Sequence, residues 1–437
     1  MLGAFITQLQ IIDAFYWTYV GVFLIIASGI YLTVKSKFFQ FRVIYHFKDS
    51  FRNIHFESKI KHTPGLHPVK LYFASIGGMI GLGNIVVIVT SVTYGGPGVL
   101  VWMWMASFAG MMIKYSEVYL GIKFRQANQH DSFDGGSMYY LKAAFGSNFV
   151  PLILAFMICI YGVEISQFKI ITDTVSGSFD LNSNVVMYCL LALILYTALG
   201  GVRRLANTCS MLMPPFVVVY ISMCLWVVIA HYEAVPGAFM SIIKSAFSGH
   251  APIAGFTGST ILMAAQSGVA RAVYSGDIAI GYDSIIQSET STTYPAVQAK
   301  MAIFAQFTGS VICTLSILVV LVTGIWHSPF LASPSEYVTA AFALHFPFVK
   351  YFMAILFFLA GFTTIIAYFT VGIKCAEYIN KKWGKKLYVL YAIIAFIVTS
   401  FFDQTSLITV MSLCSGVLVL LNLSGIIKLR HHIKFPG

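Results

Sequence analysis

Charge is scarce in this chain. Of its 437 residues only 10% are Asp, Glu, Lys or Arg, against 58% hydrophobic and 15% aromatic, and a soluble protein of this length could not cover its surface with so few polar groups. A soluble multidomain enzyme is excluded. Acid is scarcer than base: 16 Asp and Glu stand against 27 Lys and Arg, a net charge of +11. In a soluble chain that excess would raise nucleic acid as a partner; in a membrane chain it speaks of loop topology. Paired cysteines are missing too. Cys159, Cys189, Cys209, Cys224, Cys313, Cys375 and Cys414 fall in or beside apolar stretches with no CxxC pair, and read as small core hydrophobes. The sequence has no HExxH, no Walker loop, no metal-spaced Cys/His set and no GxSxG in a strand-turn-helix context, which argues against an intramembrane enzyme. His46, His55, His62, His67, His431 and His432 lie in surface segments and read as solvated. A basic leader is also lacking: Asp13 stands where a signal peptide would be positive and no small-residue cleavage site follows, so the first apolar segment reads as a retained helix.

What is abundant is apolar sequence in runs of membrane length. About twenty apolar residues cross a bilayer, and on that ruler eleven spans are expected, near 16–34, 68–93, 97–122, 149–172, 184–199, 209–231, 257–285, 300–325, 349–373, 387–402 and 406–427. Between the first two, from Lys35 to Lys61, Phe38, Phe39, Phe41, Ile44, Tyr45, Phe47, Phe51 and Ile54 alternate with basic residues, the pattern of an amphipathic helix lying on the membrane. If that segment is cytoplasmic, the N-terminus is outside and the C-terminus inside. Inside loops and helix ends, Lys114 among them, then collect 23 of the 27 Lys and Arg. Lys244 and Lys350 fall outside, and Lys169 and Arg271 fall within spans. So one-sided a distribution is the positive-inside pattern, which sets the orientation.

Two spans are interrupted. The stretch Ser75 to Asn84 places Gly77, Gly78, Gly81 and Gly83 within seven residues at mid-depth. Such a run either leaves the helix to line a cavity or forms a small-residue packing face. The seventh span, Gly258 to Gly281, is again long, glycine-interrupted and polar in its middle. Setting the first span aside, the other ten divide into five and five, and the two interrupted helices open each half. Interrupted helices at matching places mark the binding site of a transporter, and an odd number of spans per half requires the halves to be inverted. Half-helix ends offer N–H groups to an anion and carbonyls to a cation. The expected organisation is a leading helix and amphipathic segment over 1–67, repeats over 68–231 and 257–427, an extracellular connection over 232–256, and a tail over 428–437.

At this point the chain resembles the alanine or glycine:cation symporter family. The resemblance rests on Gly83-Asn84-Ile85, Tyr94-Gly95-Gly96-Pro97-Gly98, Trp102-Met103-Trp104, Lys114-Tyr115-Ser116-Glu117, Gly135-Gly136-Ser137-Met138-Tyr139-Tyr140 and Gly268-Val269-Ala270-Arg271. Cys313-Thr314, Ala341-Phe342, Phe362-Thr363-Thr364-Ile365 and Lys374-Cys375-Ala376-Glu377-Tyr378 extend it in order along nearly the whole chain. It implies an all-α membrane carrier of amino acids, sodium-coupled, with the LeuT-type five-plus-five inverted repeat after one extra helix. Ile80-Gly81-Leu82-Gly83-Asn84 and Ala360-Gly361-Phe362-Thr363-Thr364 also resemble the neurotransmitter:sodium symporters of that fold. Carried over by position, the carbonyls of Gly77, Ile80 and Ala360 with the hydroxyls of Thr363 and Thr364 imply a sodium site. Hard oxygens of low total charge suit a weakly held monovalent ion, although threonines in membrane helices also bond their own i−4 carbonyl. The resemblance puts substrate at Gly81 to Asn84, at Gln167, and at Ser275, Gly276, Asp277 and Ala279. N–H groups at Gly81, Leu82 and Gly83 would take a carboxylate; carbonyls near Ser275 and the Asp277 side chain would take an ammonium.

The chain also departs from the family's pattern. The second break usually reads Ser-Asn-Glu-Ala-Gly followed by Gly-Ser-Ala-Pro; here it is Ser275-Gly276-Asp277-Ile278-Ala279 and Gly281-Tyr282-Asp283-Ser284. Leu82 replaces a usual threonine, and Glu164 and Lys169 flank Gln167 where Asn-rich surroundings are usual. Charges within a membrane default to function, and the expected pairs are Glu164 with Arg271 or Asp277 with Lys169, as structural ion pairs or as coupling groups. A desolvated Glu164 would favour its protonated form. The expectation is therefore sodium-coupled symport of a small amino acid, alanine- or glycine-like, in a bacterial inner membrane. The alternatives are a proton-coupled carrier of another amino acid, a nutrient sensor that has lost transport, or a channel. No organic cofactor and no nucleic acid is implied, membrane lipid surrounds the chain, and nothing in its sequence sets an oligomeric state.

Overall fold

The computed structural model of the protein describes residues 2–47, 64–128, 132–248, 260–327, 334–399, 402 and 404–436. Helix dominates because apolar backbone in lipid must satisfy its own N–H and C=O groups. Among the described residues seven helices are long and apolar enough to cross a bilayer: Ile6–Lys35, Val99–Lys123, Phe149–Phe179, Gly201–Ala230, Pro295–Val322, Val349–Ile379 and Ser406–Lys428. The pair Pro68–Met79 and Gly83–Thr93, bent by 50° at the expected break, makes an eighth if the two are one broken span. The outside of the molecule is as apolar as the inside. Phe23, Phe156, Met211, Trp226 and Ile229 are exposed while Lys114, Glu117, Glu164, Asp277 and Asp283 are buried, the arrangement lipid solvent demands.

In chain order, α1 runs from Leu2–Phe15 through a π-helical turn, Tyr16–Gly21, into Val22–Lys35, and the short α2 covers Phe39–Tyr45. α3 is Pro68–Met79; α4 begins π-helical at Gly83–Val87 and continues over Ile88–Gly95. His67 starts α3 by accepting the Val69 N–H on Nδ1 at 3.2 Å, with Pro68 at the first helical position, where its missing N–H is harmless. α5 is Val99–Lys123; a two-stranded hairpin, β1 Gln126–Ala127 and β2 Phe133–Asp134, leads to α6, Ser137–Phe145. α7 (Phe149–Tyr161), α8 (Ile165–Phe179), α9 (Ser183–Ala198) and α10 (Gly201–Ala230) follow. α11 (Val235–Ser248) puts a helix into the expected extracellular connection. The remaining helices are α12 (Ile261–Gly276), α13 (Tyr282–Gln287), α14 (Pro295–Val322), α15 (Pro334–Ala343), α16 (Val349–Ile379), α17 (Gly384–Thr399) and α18 (Gln404–Lys428). The start of the seventh expected span, 257–259, and the 48–61 portion of the amphipathic segment lie outside the described residues.

α5 is the spine, packed by α1, α12 and α14. Small residues bring these helices close: a Cβ on Gly268 of α12 would stand 2.6 Å from the Val99 carbonyl oxygen, so only glycine permits this crossing. The Lys123 end of α5 is braced. Arg125 gives hydrogen bonds to the carbonyls of Ser288, Thr290 and Thr292 at 2.7–2.8 Å, and Lys374 forms ion pairs with Asp134 and Glu289.

One expectation is refined and one needs correction. The span expected over 149–172 falls within the apolar crossing Phe149–Phe179, which is interrupted between α7 and α8, where Glu164 adopts a left-handed conformation (φ 52°). Lys114 does not belong to the basic collar: it lies within α5, fully buried, because the carboxylates of Asp277 and Asp283 close around it.

Candidate functional site

The three interruptions meet. At the first, Ile80 leaves helical geometry (φ −90°, ψ 88°); at the second, Asp277, Ala279 and Gly281 are left-handed (φ 52°, 58° and 111°). A non-glycine residue there costs on the order of 1–3 kcal/mol, so the surroundings must hold it. Asn84 ties the first break to the second by donating from Nδ2 to the Ser275 carbonyl at 3.0 Å. Gln167, on the first turn after the Glu164 interruption, accepts the Leu82 N–H on Oε1 at 3.2 Å. Asn84 Oδ1 accepts the Gly81 N–H at 3.2 Å. Amide oxygens of the protein thus occupy the donors that a carboxylate would seek. Asn84, Gln167, Ser275 and Asp277 are all buried, so this arrangement is closed.

Around the first break, four of the five expected sodium ligands come together. The Thr364 hydroxyl lies 3.0 Å from the Gly77 carbonyl on α3 and 3.1 Å from the Ala360 carbonyl on its own helix. Thr363 donates to the carbonyls of Leu359 and Ala360, both at 2.9 Å. Thr364 therefore joins two helices, whereas Thr363 is engaged along its own. Ile80 adjoins them as the first residue beyond α3, its N–H bonded to the Ile76 carbonyl at 2.7 Å. Gly81 lies between these two groups of residues. A Cβ there would collide with Thr364 Oγ1 and come within 2.6 Å of Gln167 Oε1.

The second break is anchored differently than its sequence suggested. The Asp277 carboxylate accepts from the Tyr368 hydroxyl at 2.7 Å and from the Asp283 N–H at 3.1 Å, with Lys114 Nζ 3.7 Å away. Its cationic partner is therefore Lys114, not Lys169. Lys169 pairs one turn along α8 with Asp173, at 2.9 Å, the nearest acid it can reach without crossing the bundle. Lys114 also donates to the Gly276 carbonyl at 2.8 Å and approaches Asp283 Oδ2 at 2.9 Å. Ser75 donates to the other Asp283 oxygen. Glu164 Oε2 accepts from Gln167 at 3.0 Å and from Tyr274 at 3.3 Å. Arg271 lies farther along α12, where its charge bears on Asp13 and Tyr274. The Ala279 carbonyl is held by Asn422 of α18 at 2.9 Å. Sequence reasoning missed Lys114, Asp283, Tyr274 and Tyr368 as parts of the site. The available signals were a lysine and a glutamate three residues apart inside a span, Lys114 and Glu117, and the unusual acid Asp283 after the second break.

Helices broken at mid-depth around a buried polar seam, in a bundle with an apolar exterior, define a secondary transporter. The structure of MhsT in complex with L-phenylalanine aligns with a TM-score of 0.64 and 12% identity, over 84% of this chain and 89% of that one, a likeness of fold. The chain belongs to the sodium:alanine symporter family, whose sequence pattern matches residues 4–435. It is 30% identical over 439 residues to an uncharacterised transporter of Haemophilus influenzae, covering 97% of this chain and 93% of that one. It is 26% identical over 443 residues to the sodium/alanine symporter AgcS of Methanococcus maripaludis, covering 97% and 95%. Its activity class is sodium-coupled amino-acid symport, in an integral membrane protein.

Proposed function

We propose that the substrate is a small amino acid, alanine- or glycine-sized, carried with sodium by alternating access. Sodium binds the carbonyls of Gly77, Ile80 and Ala360 and the hydroxyls of Thr363 and Thr364. The substrate carboxylate takes over the N–H groups of Gly81 and Leu82, with Gly83 beside them, as Asn84 and Gln167 turn away. Its ammonium takes over the Ser275 carbonyl from Asn84. Gly276, Asp277 and Ala279 shape the second break, Asp277 through Tyr368 and Lys114. The observation that carries this reading is the position of Gly81, in contact range of both Thr364 and Gln167: ion and substrate share one unwound segment, so each can favour the same closed state.

In this reading the eleven spans are α1, α3/α4, α5, α7/α8, α9, α10, α12/α13, α14, α16, α17 and α18. The last ten form a five-plus-five inverted repeat, in a bacterial inner membrane with the N-terminus outside and the basic collar in the cytoplasm. The test is uptake of labelled alanine, glycine and larger amino acids into proteoliposomes under imposed sodium or proton gradients. Saturable uptake of the small substrates driven by sodium is expected. Uptake that ignores sodium, or binding without flux, overturns it.

A further inference from the structure

Next to the second break lies a charge cluster one member of which, Glu117, has no role in sodium or substrate binding. Lys114, Glu117, Asp277 and Asp283 are each 0% exposed, so one ammonium stands against three carboxyl groups out of reach of water. Asp277 and Asp283 are provided for: Lys114 lies between them, and Tyr368, Ser75 and a backbone N–H supply hydrogen bonds. Glu117, three residues on from Lys114 along α5, is not. Its charged neighbours are Asp277, Lys114 and Asp283, and the Ser284 hydroxyl is within reach of it, but neither of its carboxyl oxygens makes a hydrogen bond of good geometry among the described residues. The other polar groups facing it are committed elsewhere. Tyr140 of α6 gives its hydroxyl hydrogen to Asn422 at 2.6 Å, and Ser284 of α13 gives its own to the Gly281 carbonyl at 2.8 Å.

With every carboxyl ionised the cluster would carry two unbalanced negative charges, and unbalanced charge in a membrane interior is far costlier than a neutral polar group short of a partner. A metal ion does not fit as the balancing charge. Among the described residues no three His, Cys, Asp or Glu side chains converge to hold one, and Lys114 already fills the place between the two aspartates. The remaining small cation is a proton.

We propose that Glu117 is a proton-binding site, neutral while the helices are closed around the second break and ionised when they part at the Lys123 end of α5. That end is near: six residues, roughly 9 Å of helix, separate Glu117 from Lys123, and the brace made by Arg125 and by Lys374 with Glu289 seals it. On opening, the carboxyl O–H bond breaks, its electron pair stays on Glu117 as the carboxylate, and the proton passes to water on that face. The closed state then binds one proton more than the open state, so acid on that face favours closure, with one proton setting a limit of tenfold per pH unit.

The test has two arms. In infrared difference spectra of the purified full chain, wild type minus Glu117→Gln, the carbonyl stretch of a neutral carboxylic acid is expected; no difference band overturns the proposal whatever the transported substrate or ion. In proteoliposomes with saturating sodium on both sides, exchange of labelled alanine is expected to slow towards tenfold per unit as the Lys123 face is acidified. Glu117→Gln is expected to abolish that slope and Glu117→Asp to retain it. Parallel profiles for wild type and Glu117→Gln overturn the proposal. So does a Glu117→Gln chain that cannot fold, since an amide replaces a neutral acid almost isosterically. Absence of alanine exchange in the wild type counts against the substrate assignment alone, and the infrared arm still decides the proton site.

Discussion

Replacing Thr364 with alanine separates two physical accounts of one hydroxyl. If Thr364 served only its own helix, its hydroxyl would return to the i−4 carbonyl of Ala360 and its loss would be nearly silent. Instead the hydroxyl stands 3.0 Å from Gly77 on α3 and 3.1 Å from Ala360, the corner of an oxygen set drawn from two helices. Removing one oxygen from a charged partner costs about 1.5–3 kcal/mol, or about a ten- to 150-fold rise in the sodium concentration needed for half-maximal effect. Sodium-dependent counterflow of alanine in proteoliposomes reads that shift directly, and sodium-induced thermal stabilisation of purified protein reads it without transport. Thr364→Ser keeps the oxygen and is expected to stay within a few-fold of wild type. Thr363→Ala, whose hydroxyl is engaged by Leu359 and Ala360 of its own helix, is expected to shift sodium dependence less than Thr364→Ala. A Thr364→Ala protein with unchanged sodium dependence in both assays would falsify the assignment.

The other predictions probe the breaks and the topology. Gly81→Ala forces a methyl against Thr364 and Gln167; overpacking of this kind costs about 1–3 kcal/mol, and both sodium and substrate affinity are expected to weaken, whereas loss of only one argues against a shared hinge. Lys114→Met leaves Asp277 and Asp283 without their ammonium, a loss of about 3–5 kcal/mol; a sharply lowered unfolding midpoint is expected, partly restored by adding Asp283→Asn, and an unchanged midpoint contradicts the buried pairing. Single cysteines at Lys244 and Lys350, in a background with the native cysteines replaced, are expected to react with an impermeant maleimide from the outside, and one at Arg430 only after permeabilisation. The reverse pattern inverts the orientation.

The long spans were legible because lipid makes one demand of every residue that faces it, and that demand shows in composition. Val99–Lys123, Pro295–Val322 and Val349–Ile379 fall close to where apolar length alone puts them. The first break was legible because glycine has a local reason to be there. The interruption at Glu164 was not. Its surroundings, Tyr161-Gly162-Val163-Glu164, carry one glycine in an otherwise strongly apolar run, and the left-handed turn (φ 52° at Glu164) is held by contacts remote in sequence. Gly162 packs where a Cβ would stand 2.9 Å from the Tyr368 carbonyl, and the Glu164 carboxylate is received by Tyr274. Neither neighbour can be inferred from a window of sequence.

Lys114 shows the same limit more sharply. Nine residues before the end of α5, a lysine could reach the interface by extending its stem, and charge counting alone assigns it to the collar. Its actual place is decided by Asp277 and Asp283, more than 160 residues away. The family resemblance implies that these two acids, with Tyr282 and Ile278, stand where the second break usually reads otherwise. Tyr282 gives its hydroxyl hydrogen to the Ala74 carbonyl at 2.6 Å, and Ile278 fills the space beside Gly110, where a Cβ would meet it at 2.5 Å. The departures are therefore mutually dependent. Asp277 and Asp283 need Lys114, Tyr282 and Ile278 need the small residues opposite them, and together they rigidify the far side of the second break. The near side holds Ser275 and its bond to Asn84, where the proposed substrate ammonium would sit. Such a division predicts that single reversions toward the family pattern at Asp277 or Asp283 damage folding before they alter substrate choice, while changes at Leu82 or Gln167 do the opposite. Expression level and amino-acid selectivity, measured on the same four variants, separate the two effects.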